Sequence, residues 1–218
     1  MLVRRGSARY TARMFSPDLV AAVLVIGAYL LGSVSFAVLV SRAFGLPDPR
    51  TYGSGNPGAT NVLRSGRRPA AVLTLAGDAL KGWVAVALAQ AIAPAHGFGA
   101  GVVALTALAV FVGHLYPVFF RFQGGKGVAT AAGVLFALDL RLGVAVLAIW
   151  LALALGLRLS SLAALIATGA ALPLAWWLGL SPPVLAAVAL MGGLLIWRHR
   201  SNIRKLLAGT EQGFGRRH

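Results

Sequence analysis

The run LVAAVLVIGAYLLGSVSFAVLV, Leu19–Val40, extends for 22 residues without a charge. As a helix at 1.5 Å per residue it reaches about 33 Å, the thickness of a bilayer's hydrocarbon core, so reading it as a transmembrane span decides the class of fold. Further apolar runs bounded by Gly, Pro or charge cover Pro69–Ala93, Phe98–Phe120, Val128–Leu140, Leu142–Leu157, Leu162–Leu178 and Val184–Trp197, making seven in all. The fourth, fifth and seventh fall short of the roughly 20 residues a span usually needs. Asp139–Leu140–Arg141 divides two of these short runs. A tight turn between short or tilted spans is favoured there over one helix of about 30 residues.

Composition leads the same way. Of 218 residues, 58% are hydrophobic and 11% charged, with a mean hydropathy of +0.80. A soluble domain is typically near a quarter charged, so this chain is an integral membrane protein. The balance of 20 Lys+Arg against 5 Asp+Glu would suggest nucleic acid in a soluble protein. Here the cations sit at the ends of apolar runs, which fits positive-inside anchoring helped by anionic lipid and argues against nucleic acid as a partner. Cysteine is absent. That removes disulfides, thiolate metal sites and a cysteine acyl-enzyme, and leaves oxygen and nitrogen groups for any catalysis.

The fold expected is all-α and polytopic, with about seven transmembrane helices. Seven spans with an inside C-terminus place 14 of the 20 cations on one side, from Arg42, Arg50 and Arg64 to Arg204, Lys205, Arg216 and Arg217. That side is therefore cytoplasmic and the N-terminus lies outside. Arg141 and the tail cations Arg4, Arg5, Arg9 and Arg13 fall opposite, and Lys81 lies within a span. The division expected is a basic tail over 1–18, a membrane domain over 19–198 with cytoplasmic loops 41–68 and 121–130, and a cytoplasmic segment over 199–218. The tail breaks the charge pattern, and Met14 directly precedes the apolar run, so the first 13 residues are expected to be dispensable. A secretory signal is the other reading of the tail, but Leu19–Val40 is longer than an ordinary signal's apolar region. No internal repeat is visible, which weakens an inverted-repeat transporter.

With this parity three polar, glycine-rich segments share one face. The first, Gly53-Ser54-Gly55-Asn56-Pro57-Gly58-Ala59-Thr60-Asn61-Val62-Leu63-Arg64, has the composition of an anion cradle. Its glycines let backbone amides turn toward a ligand, Ser54, Asn56, Thr60 and Asn61 add neutral donors, and Arg64 adds a fixed cation. A plain interhelical linker would not require so dense a set. The second segment carries Gly124-Gly125-Lys126-Gly127 at the start of a span, where an ammonium sits beside free helix N-terminal amides. It is not a Walker loop: Phe120 stands where that pattern wants its first glycine, and Gly127 where it wants Ser or Thr. His114, near the end of the third run, fits an interfacial or structural histidine as well as a catalyst. The third segment, Arg198 to Glu211, brings His199 and Asn202 to one helical face. For Arg200, Arg204 and Lys205, lying on anionic lipid is a sufficient role. Asp78 and Lys81, at i and i+3, pair within the second span as a structural element at least as readily as a proton relay.

Together these segments closely resemble the bacterial acyl-phosphate:glycerol-3-phosphate acyltransferases, the PlsY-type membrane enzymes, from about Tyr29 to Glu211. The family's first motif is met at Gly53–Asn61, its second at Phe122–Thr130 and its third at Arg198–Ile203; Leu46–Arg50 and Asp78/Lys81-Gly82 also look like family features. Gln123 stands where the family usually has lysine, with Arg121 nearby to restore the charge, and Lys205 stands where arginine is usual. The resemblance implies a seven-span fold in the bacterial inner membrane, a cytoplasmic active site, and no cofactor or metal. It implies acyl phosphate and glycerol-3-phosphate as substrates, membrane lipid as surroundings, and a functional link to an enzyme that makes acyl phosphate. It also implies roles: Ser54, Lys126, His199 and Asn202 as catalytic groups, with Gly53, Gly55, Asn56, Gly58, Thr60, Asn61, Arg64, Gly124, Gly125 and Gly127 binding substrate.

The chemistry suits this inventory, because an acyl phosphate already carries a good leaving group and needs no enzyme nucleophile. The site must hold two phosphates, aim a hydroxyl at the acyl carbon and stabilise developing negative charge. Either His199 or the departing phosphate could take the hydroxyl proton. Thioester-dependent acyltransferases commonly carry His-x-x-x-x-Asp, whereas the fifth residues after His96, His114 and His199 are Gly101, Phe119 and Arg204. A transporter or channel for phosphorylated anions is the principal alternative, and a lipid-binding scaffold a weaker one.

Overall fold

The computed structural model describes residues 16–213, so most of the basic tail, Met14, and Arg216 and Arg217 lie outside the described residues. Every regular element among the described residues is helical. The α-helices are α1 (Pro17–Gly32), α2 (Phe36–Ala43), α3 (Ala59–Leu63), α4 (Arg68–Ile92), α5 (Ala100–Leu115), α6 (Val128–Leu138), α7 (Leu140–Leu157), α8 (Ser160–Trp177), α9 (Pro182–Arg198) and α10 (Arg200–Leu207).

The segments Arg68–His96, Ala100–Phe120, Leu140–Leu157 and Ser160–Trp177 are each long and apolar enough to cross a membrane. The pairs α1/α2 and α9/α10 pass that test only together, bent by 45° and 58°. The expected single span over Leu19–Val40 is thus a broken helix. Ser33 starts the break by donating its hydroxyl to the Tyr29 carbonyl at 2.9 Å, a local bond that competes with helix continuation. The carbonyl of Val34, left without a helical partner, accepts from the Lys81 ammonium at 2.7 Å, which meets the requirement that backbone groups at membrane depth be satisfied.

At Asp139 the turn expected from sequence is present. Its backbone is extended, and its carboxylate accepts from the N–H groups of Arg141 and Leu142 at 2.8 and 3.2 Å, so it ends α6 and caps α7. The resulting α6 has 11 residues, about 16 Å of rise, and stops at Leu138 rather than Leu140.

Small residues let the helices approach closely. A Cβ on Gly32 would overlap the Val110 backbone of α5, and one on Gly113 of α5 would overlap the Tyr29 carbonyl of α1. Gly82 of α4 and Gly133 of α6 meet each other's helices in the same reciprocal way, the small-residue contact typical of membrane bundles. Phe111, Leu115, Val110 and Val134 fill the interior, whereas Val23, Val72, Leu155, Trp176 and Trp177 point outward. Large apolar side chains facing out are expected where lipid is the solvent.

Candidate active site

Three segments meet at one end of the bundle. The first lies between α2 and α3 and is held by its own polar groups. Asp48 accepts from the Arg50 guanidinium at 2.6 Å, and this hydrogen bond holds its carboxyl below the usual range. Asn61, on α3 and buried, donates to the carbonyls of Pro49 and Tyr52 at 2.7 and 3.1 Å and accepts from Ser54 N–H at 2.9 Å. Asn61 therefore shapes the loop from within. Gly53 has a φ of 59° and Gly55 of 67°, left-handed values that glycine tolerates best. Gly58 precedes α3 with the Asn56 side chain close against it. Ser54, Thr60 and Arg64 are exposed, and Asn56 is half-buried.

The second segment joins α5 to α6, and its glycines serve close packing. A Cβ on Gly124 would overlap the His114 carbonyl, one on Gly125 would overlap His114 Nε2, and Gly127, with a φ of 91°, lies against Phe111. Arg198, at the end of α9, grips this loop by donating to the Gly124 and Gly125 carbonyls at 2.7 and 3.1 Å while its guanidinium lies 5.7 Å from the Tyr116 ring centre. The first two segments touch here, because the Pro57 carbonyl lies 3.1 Å from where a Gly125 Cβ would sit.

Lys126 reaches from this loop to the third segment, where its ammonium donates to Asn202 Oδ1 at 2.6 Å. Asn202 in turn donates to Glu211 Oε1 at 2.7 Å, and the same oxygen accepts from Ser161 Oγ of α8 at 2.6 Å. Burial pushes the Lys126 ammonium down to a pKa of about 8; Glu211 opposes this, and Arg64, Arg198 and Lys205 add to it. His199, just beyond α9 and buried, has its Nδ1 2.8 Å from the Leu195 carbonyl. A carbonyl only accepts, so Nδ1 carries the proton and Nε2 keeps a lone pair. Burial pushes this imidazole down to about 4 despite the Leu195 bond, leaving it neutral at physiological pH.

The structure thus joins Lys126 to Asn202 and brings Arg64, Arg198 and Lys205 within electrostatic reach of that ammonium. Sequence reasoning missed Glu211 and Ser161 as its supports and Arg198 as the clamp on the loop. One signal was available: Glu211 is the sole glutamate of the chain, standing in an otherwise basic segment. Arg121 and Gln123 line a cleft of about 590 Å³ with Arg42, Asp48 and Arg50.

An apolar cavity of about 380 Å³, whose lining includes the outward-facing Val72, lies beside this site. Val128, which follows Gly127, and Leu195, which holds His199, belong to its wall, and Leu75, Phe136, Trp150 and Met191 also line it. Cations gathered at one end of a bundle of apolar helices, next to an apolar cavity, define a helical integral membrane protein. The chain belongs to the glycerol-3-phosphate acyltransferase family, whose description matches residues 22–209. It is 61% identical over 195 residues to the Glycerol-3-phosphate acyltransferase of Ralstonia nicotianae, covering 88% of this chain and 93% of that one. It is 58% identical over 199 residues to that of Thiobacillus denitrificans, covering 89% and 97%. Two crystal structures of PlsY (YgiH), an integral membrane glycerol 3-phosphate acyltransferase, share its fold. The glycerol 3-phosphate form has a TM-score of 0.84 at 42% identity, and the lysophosphatidic acid form 0.82 at 41%, each covering 90% of this chain and 96% of that one.

Proposed function

We propose that this chain moves a fatty acyl group from acyl phosphate to the 1-hydroxyl of glycerol-3-phosphate, giving 1-acylglycerol-3-phosphate and inorganic phosphate. The acyl–oxygen bond of the mixed anhydride breaks, the ester bond forms, and the hydroxyl proton leaves with the phosphate. The observation that carries this reading is the half-buried Lys126 ammonium on Asn202, with the apolar cavity beginning at the neighbouring Val128. Lys126 and Arg64 supply charge for phosphate groups, the Gly53–Gly58 loop supplies amides, and Ser54, Asn56, Thr60 and Asn202 orient the substrates. Asn61 and the Gly124–Gly127 loop keep these groups in place.

His199 has a lone pair on Nε2 but a pKa of about 4, which makes it a weaker base than a phosphate dianion, whose conjugate acid has a pKa of about 6. The proton therefore passes to the departing phosphate, and His199 orients the attacking hydroxyl by accepting its hydrogen bond. The cavity takes the acyl chain. Seven spans, with α1/α2 and α9 as the outermost in sequence and α6 as a short fourth, put this chemistry at the cytoplasmic face of the inner membrane, a topology supported by the 14 cations on that side.

The test is incubation of purified protein with radiolabelled glycerol-3-phosphate and either palmitoyl phosphate or palmitoyl-CoA. Labelled lysophosphatidate with equimolar phosphate release is expected from palmitoyl phosphate, with no appreciable rate from palmitoyl-CoA. A faster reaction with palmitoyl-CoA would overturn the choice of donor, and labelled substrate entering vesicles unchanged would favour a transporter.

A further inference from the structure

Below the site, three buried ionisable side chains remain unused by the proposed chemistry. Asp78 and Lys81 of α4 form an ion pair at 2.9 Å, and His114 Nδ1 of α5 lies 3.5 Å from the same Asp78 oxygen. All three are at most 7% exposed. Burying such groups in a membrane bundle is expensive, so their retention calls for a reason. Lys81 has a structural one, since it satisfies the free Val34 carbonyl at the break of the first span. Helix architecture alone gives no such reason for His114.

His114 touches the glycine loop at two points. Its carbonyl accepts from Gly125 N–H at 3.2 Å, and its ring nitrogen Nε2 occupies the space into which a Gly125 side chain would project. The carbonyls of Gly124 and Gly125 are held by Arg198. The loop that carries Lys126 is therefore in contact with both an imidazole and a guanidinium. Asp78 lies beside the ring, and Lys81 links Asp78 to the break between α1 and α2.

We propose that His114 is a positioning residue: packed between Asp78 and Gly125, its imidazole is the wedge that sets the 121–127 loop, and through the loop the Lys126 ammonium. A merely structural ion-pair cluster would hold the helices together without affecting that loop. The effect on substrate rests on the acyltransferase reading, but the effect on the loop does not.

The experiment uses the full chain in detergent, compared as wild type, His114→Ala, Asp78→Asn, Gly125→Ala and the double variant His114→Ala/Gly125→Ala. Amide exchange across 121–127 is expected to rise about tenfold in His114→Ala, and less in Asp78→Asn, while α7 and α8 keep wild-type exchange. KM for glycerol-3-phosphate is expected to rise several-fold in His114→Ala with little change in kcat. Gly125→Ala should bind poorly because its methyl meets the ring, and the double variant should recover most of the way to the level of His114→Ala, with the Pro57 carbonyl still 3.1 Å from the methyl, a strong favourable coupling. If His114→Ala fails to fold, His114→Gln removes the ring from Gly125 and gives the same exchange reading. Unchanged exchange in 121–127, or independent effects of the two substitutions in the double variant, would overturn the proposal. Altered loop exchange in the variants, together with a wild-type chain that turns nothing over, would instead overturn the functional reading and leave the positioning role standing.

Discussion

The Lys126 ammonium lies 2.6 Å from the side-chain oxygen of Asn202, a residue 76 positions away. This contact joins the C-terminal segment to the glycine loop and leaves the cation half-buried. Substrate phosphate must compete with, or add to, a neutral amide oxygen, a weaker partner for an ammonium than a carboxylate would be. Glu211 contributes its negative charge one residue further out, through Asn202.

Replacing Lys126 by Met is expected to abolish turnover, with loss of about 2–5 kcal/mol of phosphate binding, and yet to stabilise the fold at neutral pH. The sign follows from burial: a lysine lowered from 10.5 to about 8 prefers its neutral form in the folded state. The charged group thus destabilises the fold below pH 8, and stability recovers as pH rises from about 8 to 10.5. Thermal unfolding should show the variant above wild type at pH 7 and the gap closing by pH 10. In the wild type, kcat/KM for glycerol-3-phosphate should fall as pH passes about 8 and the ammonium is lost.

Glu211→Leu is expected to lower both activity and melting temperature. It strands Asn202 Nδ2 and Ser161 Oγ together, whereas Glu211→Gln keeps an accepting oxygen and should retain more of each. Ser161→Ala should have the mildest effect, because Asn202 keeps its partner. Melting curves and initial rates on the three variants give the ranking, and equal behaviour of the Leu and Gln variants would remove Glu211 as a support.

Local chemistry was legible in the sequence, and long-range partners were not. The turn at Asp139 could be read because an aspartate caps the helix that follows through its own neighbours. The break at Ser33–Ser35 could not, since its stability depends on Lys81, 47 residues away from Val34. The anion cradle showed in its glycines and Arg64, but not that Asn61 would spend its amide within the loop. Lys126 and Asn202 both stood out by residue type, whereas Glu211 stood out only as the sole glutamate, and its partner Ser161 comes from α8, 50 residues away.

The absence of cysteine makes topology directly measurable with single introduced thiols. Arg141 at the α6–α7 turn and Leu207 at the end of α10, 84% exposed, fall on opposite sides in the proposed arrangement. In intact cells an impermeant maleimide should label Arg141→Cys and spare Leu207→Cys, with the second labelled only after the membrane is opened. Labelling of both, or of Leu207→Cys alone, in sealed cells would refute the seven-span orientation.

The apolar cavity can be shortened without disturbing what surrounds it. Gly192 of α9 lines it, and a Cβ there would meet only Thr168 Cγ2 at 3.4 Å, an ordinary contact. A leucine at this position extends into the open space, so the packed helices need not move, unlike overpacking of a filled core. If the cavity holds the acyl chain, Gly192→Leu removes room from the chain and leaves the phosphate end untouched. The expected result is a several-fold loss of kcat/KM with palmitoyl phosphate, a smaller loss with octanoyl phosphate, and an unchanged KM for glycerol-3-phosphate. An equal loss with both donors would mean that the cavity is filled by bilayer lipid and that the acyl chain lies elsewhere on the bundle.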